Sequence, residues 1–362
     1  MEASTGVRAR RSEDVVRVCW KSRVRGTGSC SLLPLCPVGP APVSPAPVSP
    51  APVSPAPVGP APVPPASAVP APVPPASAVP MPFSVSTSLY YRIDGPVDAP
   101  PVLLLHGGPG AHHDYLYPQM LALAENHRVY TYDQRGGGQS KTDDPTPITW
   151  ETQVADLGTL IREFGLVPPT LIGYSWGAML AMLYAIRCTQ DPSLPAPARM
   201  VLISPAPITR AWRTQFEEAL AARGRGEVIQ GMRAELAASG LRERDPDAYR
   251  QRSFELSVAG YFHDPRNATA LTPFRVTGKV QQSIWNSLGD FDLRDAICAV
   301  DCPALVLHGN SDPIPLESAA AVAECLGARF VVLDACGHVP YVEQPEELFA
   351  VMQTFLAETT EP

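Results

Sequence analysis

From Gly26 to Tyr91 the chain has no Asp, Glu, Lys or Arg. In place of charge it has proline: residues 34–82 hold 20 of the 43 prolines in the sequence. "PVSPAPVSPAPVSPAPVGPAP" is followed by two copies of "PVPPASAVP". Proline every two or three residues removes backbone donors and fixes φ, which excludes a propagating helix or sheet. The expectation for residues 1–82 is a polyproline II-like or disordered tail. Its first 25 residues are basic, with seven Lys or Arg against three acids. PxxP spacing recurs, but no basic residue flanks it within the repeats, so a spacer is expected rather than a ligand for a proline-binding module. Met81 opens "MPFSVSTSLYYRIDG", which reads as a domain start. The tail is therefore also expected to reflect a start assigned too far upstream in a GC-rich gene. An intact mass beginning at Met1 in the natural protein refutes that idea.

Other absences narrow the function. No apolar run approaches the length of a membrane span. The basic N-terminus has no uninterrupted apolar stretch behind it, which argues against a secretory signal. Five of the eight cysteines fall after residue 82, irregularly spaced and without a CxxC pair. Neither a zinc site nor a disulfide framework is expected, and a reducing, cytoplasmic setting fits best. Residues 83–362 also lack a basic excess, with 21 Lys or Arg against 33 Asp or Glu. That balance argues against nucleic acid and anionic membrane as partners.

What is present is about 280 residues of ordinary globular text, enough for one large domain with an insertion. "PVLLLHGG" (101–108), "HRVYTYDQRGGG" (127–138), "PTLIGYS" (169–175), "ARMVLIS" (198–204), "PALVLHG" (303–309) and "ARFVVLD" (328–334) read as strands, with "YYRIDG" (90–95) at an edge. "TWETQVADLGTLIREFGL" (149–166) places Val154, Leu157, Leu160, Ile161 and Phe164 on one helical face, with Gly165 as its stop. "WGAMLAMLYAIR" is apolar all round, as a buried central helix is. Strands apolar on both faces, alternating with helices, predict an α/β fold with a mostly parallel sheet covered on both sides. Residues 207–296 break the rhythm with charged, helix-friendly text. The predicted organisation is a core of 83–206 and 297–362 with a helical cap at 207–296.

"GYSWG" (173–177) fits G-x-S-x-G between a strand and a helix, the context that gives the pattern meaning. Glycines flank Ser175 because a turn this tight has no room for side chains. The turn lifts the Ser175 hydroxyl to a helix N-terminus, where backbone N–H groups face a developing anion. The plain alternative is an ordinary strand-to-helix turn. A serine nucleophile needs a base, and the base an orienting acid. Asp312 in "LVLHGNSDPIP" and His338 in "DACGHVPYVEQP" follow in that order, each just past a strand end on the expected rim of the sheet. The expected oxyanion donors are the N–H of Trp176 and, from "HGGPG" (106–110), that of Gly108. His106 reads as a brace for its loop.

"HGGPG", "DQRGGGQS" (133–140), "GYSWGA" and "GHVPYVEQP" together resemble the α/β-hydrolase superfamily, and within it the proline iminopeptidases and their relatives. The resemblance covers nearly all of 85–360 outside the cap. It implies an α/β-hydrolase fold and a serine hydrolase that releases an N-terminal proline or another small residue from a short peptide. It implies no metal and no organic cofactor. Asp133 and Arg135 are implied as loop braces. An aminopeptidase must hold an α-ammonium, which calls for carboxylates facing the site. The resemblance assigns that task to cap glutamates, for which Glu217, Glu218 and Glu255 are the candidates. No Glu occurs between Glu255 and Glu317, where a second anchor is expected, and Asp264, Asp290 or Asp292 is the candidate to take its place. The alternative substrate class is a small acyl ester or lactone, held by cap residues such as Phe254, Tyr261 and Trp285. Epoxide and haloalkane hydrolysis are disfavoured, because those relatives use an acid where Ser175 stands. A binding protein on a hydrolase fold is the third reading, and an intact triad with both oxyanion elements argues against it.

Overall fold

The computed structural model describes residues 83–358. The expectations for residues 1–82 lie outside them. Seven strands form one sheet in the order β1-β3-β2-β4-β5-β6-β7. They are β1 (Tyr91–Asp94), β2 (Pro101–Leu105), β3 (Arg128–Tyr132), β4 (Thr170–Tyr174), β5 (Arg199–Ile203), β6 (Ala304–Gly309) and β7 (Arg329–Leu333). Only β1 runs antiparallel, paired with β3 at one edge. The other five pairings are parallel.

Two helices follow the pattern that the sequence sets. In α1 (Trp150–Glu163) the Thr149 side chain accepts from the Thr152 N–H and Thr152 reciprocates, closing a capping box. In α2 (Trp176–Gln190) every residue from Trp176 to Ile186 is buried, as a helix apolar on all faces must be. Alternation along the strands divides the core. Leu103 and Leu105 of β2 pack with α1 and α2 on one face of the sheet. Val102 and Leu104 pack on the other face, against α11 (Pro345–Ala357). Each such leucine, fully buried, contributes about 1.5–3 kcal/mol.

Between β5 and β6 the chain runs through α3 (Arg210–Gly224), α4 (Glu227–Ala238), α5 (Leu241–Arg244), α6 (Pro246–Val258), α7 (Gly278–Leu288) and α8 (Arg294–Cys298). After β6 come α9 (Leu316–Leu326), β7, α10 (Pro340–Glu343) and α11. The insertion sits directly on the strand ends. The Tyr261 carbonyl accepts from the His338 N–H at 2.7 Å, and the Gly110 carbonyl from the Thr277 N–H at 2.8 Å.

The cysteine expectation is corrected in one place. Cys298 and Cys325 form a disulfide between α8 and α9, which pack side by side. Residues 27 apart in sequence and in no motif gave no sign of that pairing. Cys188, Cys302 and Cys336 are free. Among the described residues no helix is long and apolar enough to cross a membrane. No group of three or more His, Cys, Asp or Glu among them is placed to hold a metal ion.

Candidate active site

Ser175 sits between the last residue of β4 and the first of α2, with φ 54° and ψ −115°. A non-glycine residue in that region costs about 1–3 kcal/mol, and the surroundings must hold it there. They do so with hydrogen bonds. Its N–H donates to the Ile203 carbonyl, and its own carbonyl accepts from Ala178, Met179 and Ala206. The flanking glycines are needed for space. A Cβ on Gly173 would lie 2.5 Å from the Ala178 backbone, and one on Gly177 2.1 Å from the Leu105 carbonyl oxygen.

The structure brings Ser175, His338 and Asp312 together. His338 Nε2 lies 3.0 Å from Ser175 Oγ, and His338 Nδ1 lies 2.8 Å from Asp312 Oδ2. Asp312 is fully buried, and its Oδ1 accepts from the Ile314 N–H at 2.8 Å. Burial opposes its ionisation, but the facing His338 and His308 imidazoles and that N–H hold it below the usual carboxylate range. The Tyr174 hydroxyl donates to the His338 carbonyl at 3.0 Å, so the His338 backbone is held on both sides of its Cα. A carboxylate, an imidazole and a hydroxyl in one hydrogen-bonded line can move a proton from Oγ to Nε2 while the carboxylate stabilises the resulting cation.

The β2 turn supplies the opposite wall. Gly108 lines the same cavity as Ser175 and His338, with φ +138°. Neither its N–H nor that of Trp176 has a protein partner among the described residues. His106 is buried behind this turn. The Gln134 N–H donates to its Nε2 at 3.1 Å, so the ring proton sits on Nδ1 and donates to the Gly107 carbonyl at 2.7 Å. Burial lowers the His106 pKa to about 4. Asp133 accepts from His113 and from the Gln139 N–H, and Arg135 makes a bidentate pair with Asp156 at 2.8 and 2.5 Å. These three residues brace loops and do not reach Ser175.

The cavity above Ser175 is about 100 Å³. Aromatic and aliphatic groups dominate its lining, among them Tyr115, Tyr174, Tyr261, Phe274, Val276 and Tyr341, with Gln281 at one side. Among the described residues no carboxylate lines it. The glutamates expected to face it do not. Glu255 is turned within α6, where it pairs with Arg252 and accepts from Gln251 at 3.0 Å. The i, i+3 spacing to Arg252 offered it that partner locally. Glu218 is exposed on α3, and Glu217 pairs with Arg213. Asp264 and Asp292 pair with Arg266 and Arg294, and Asp290 is exposed. Trp285 lies behind the site, its ring 5.2 Å from that of Trp176 and 3.6 Å from the Arg213 guanidinium. Phe254 reaches the cavity only through Phe274. Tyr261 lines it as expected, and Tyr115, Phe274 and Gln281 were not foreseen.

The sequence matches the family described as "Alpha/beta hydrolase family" over residues 102–351. The chain belongs to the alpha/beta hydrolases. A curated relative, the proline iminopeptidase of Lactobacillus helveticus, is 27% identical over 281 residues, covering 74% of this chain and 93% of that protein. Another, from Lactobacillus delbrueckii subsp. lactis, is 27% identical over 271 residues, covering 70% and 90%. Among solved structures, a Mycobacterium smegmatis proline iminopeptidase aligns with a TM-score of 0.54 at 23% identity, covering 76% of this hydrolase and 96% of that chain. The enol-lactonase of Burkholderia xenovorans LB400 aligns with a TM-score of 0.51 at 24% identity, covering 76% and 98%. These structural likenesses carry the fold alone.

Proposed function

We propose that this alpha/beta hydrolase is a serine hydrolase with the triad Ser175, His338 and Asp312. The observation that carries the reading is the unbroken hydrogen-bonded line from Asp312 Oδ2 through His338 to Ser175 Oγ. Ser175 Oγ attacks the acyl carbon, and its proton passes to His338 Nε2. The Trp176 and Gly108 N–H groups stabilise the oxyanion. The bond to the leaving group breaks as His338 returns the proton to it. A water, deprotonated by His338, then attacks the acyl-enzyme and frees Ser175. Residues 207–296 act as the cap that closes the acyl pocket.

For the substrate, the geometry supports a small neutral acyl ester or lactone. An α-ammonium brought against aromatic and aliphatic walls would lose hydration with no carboxylate to replace it. A second reading has support of a different kind: two curated relatives, 27% identical and covered over 93% and 90% of their length, are named proline iminopeptidases. Prolyl and alanyl arylamides beside short acyl esters separate the two. Ester turnover without arylamide turnover is expected. Arylamide turnover that depends on a free α-amine refutes the ester reading in favour of the peptidase. Ser175→Ala should abolish turnover in either case, and undiminished turnover refutes the triad.

A further inference from the structure

Tyr115 lines the same cavity as Ser175 and Gly108. Its ring is buried, packed against Phe274 at 4.4 Å between centroids, and its edge of the cavity is shared with Ser175 and Gly108. The Gly107 N–H donates to the Tyr115 oxygen at 2.7 Å. A backbone N–H can only donate, so the phenol oxygen is the acceptor in that bond. Its own proton is left with no acceptor among the described residues. The two side chains flank Gly107: a Cβ there would be 2.8 Å from the Tyr115 oxygen and 3.1 Å from Ser175 Cβ. That Gly107 carries no side chain is what lets the two approach.

We propose that the Tyr115 O–H is a third oxyanion donor, acting beside the Trp176 and Gly108 N–H groups. This rests on the serine hydrolase reading. Accepting from Gly107 polarises the phenol and fixes its direction, so the remaining proton points at the acyl oxygen without reorganisation. No proton is transferred: the phenol keeps its proton and shares it with the oxyanion in a hydrogen bond. Burial pushes the Tyr115 phenol well above its usual range, which keeps it a donor throughout the working pH range. An N–H of a loop turn is fixed by the backbone, whereas a tyrosine donor can be tuned by its acidity, which makes the idea testable.

The test uses the full chain with a short acyl ester. Tyr115→Phe keeps the ring and removes the donor, and is expected to lower kcat by about 100-fold with KM nearly unchanged. A trifluoromethyl ketone, which forms a tetrahedral oxyanion on Ser175, should weaken in parallel. Because Phe also removes the acceptor for Gly107, a second variant carries 3,5-difluorotyrosine at 115. It keeps the hydroxyl and makes it a stronger donor, so kcat should rise above that of Tyr. Tyr115→Phe with kcat within twofold of wild type overturns the proposal. So does a loss in Tyr115→Phe combined with no response to fluorination, which is the signature of a purely structural hydroxyl. Labelling of Ser175 by a fluorophosphonate separates the two levels. Wild type that is labelled and active while Tyr115→Phe is unaffected removes Tyr115 alone. Wild type that is neither labelled nor active removes the serine hydrolase reading and Tyr115 with it.

Discussion

His106 makes the turn after β2, the proposed source of an oxyanion donor, sensitive to acid, and the size of the effect can be worked from its surroundings. The ring is fully buried, accepts from the Gln134 N–H and donates to the Gly107 carbonyl, an arrangement only the neutral imidazole can make. Its pKa is lowered to about 4 in the folded protein, against about 6.5 in the unfolded chain. As pH falls below about 6.5 the unfolded chain takes up a proton that the folded one refuses, so stability drops until pH reaches about 4. At pH 4.5 the loss from this group alone is roughly 2–3 kcal/mol relative to pH 7, a large fraction of a typical domain's stability. Urea unfolding at pH 7 and pH 4.5 measures it. His106→Asn keeps one acceptor and one donor but cannot take a proton, so its pH dependence should be shallower by that amount. Equal losses in the two proteins would refute the reasoning, because other titrating groups are common to both.

Three further outcomes are expected. Gly177→Ala sets a methyl 2.1 Å from the Leu105 carbonyl oxygen of a central strand, so calorimetry should show a loss of about 3 kcal/mol or more together with lost turnover. A variant that is stable and active contradicts the packing described for that turn. Reducing the Cys298–Cys325 bond, or replacing both residues by Ser, opens a loop spanning 27 residues and should cost about 3–4 kcal/mol on the chain-entropy account. An unfolding midpoint indifferent to reductant would show that the bond does not form in solution. Arylamides with and without a free α-amine, set against acyl esters, decide the substrate class as described above.

The sequence carried the frame and the order of the polar groups because both rest on local rules. Apolar runs meeting glycines marked the strands, and the tight turn at Ser175 showed itself through Gly173 and Gly177. Asp312 and His338 were found by their positions after strand ends, which the parallel sheet gathers on one rim. What lay beyond local rules was harder to read. Glu255 was expected to face the site, but an arginine one turn away offered a shorter-range partner, and no pattern reveals which way a helix is rotated. Tyr115 follows "HGGPG" by five residues, and only the fold of the intervening loop returns its hydroxyl to Gly107. Pairing of Cys298 with Cys325 likewise depends on how α8 and α9 pack. The wall of the cavity is assembled from segments far apart in sequence, so its composition became visible only in three dimensions.

The bond from the His338 N–H to the Tyr261 carbonyl bears on how such enzymes diversify. A Cβ on the neighbouring Gly337 would lie 2.2 Å from that same carbonyl oxygen, so the two backbones meet with no spacer between them. The Gly110–Thr277 contact ties the insertion to the other side of the cavity in the same direct way. An exchange of the segment between β5 and β6 for that of another hydrolase would therefore unseat the proposed base, His338, and the proposed oxyanion turn at once. Altering selectivity by grafting calls for keeping the stretches around Tyr261 and Thr277 as anchor points and varying only the helices between and outside them.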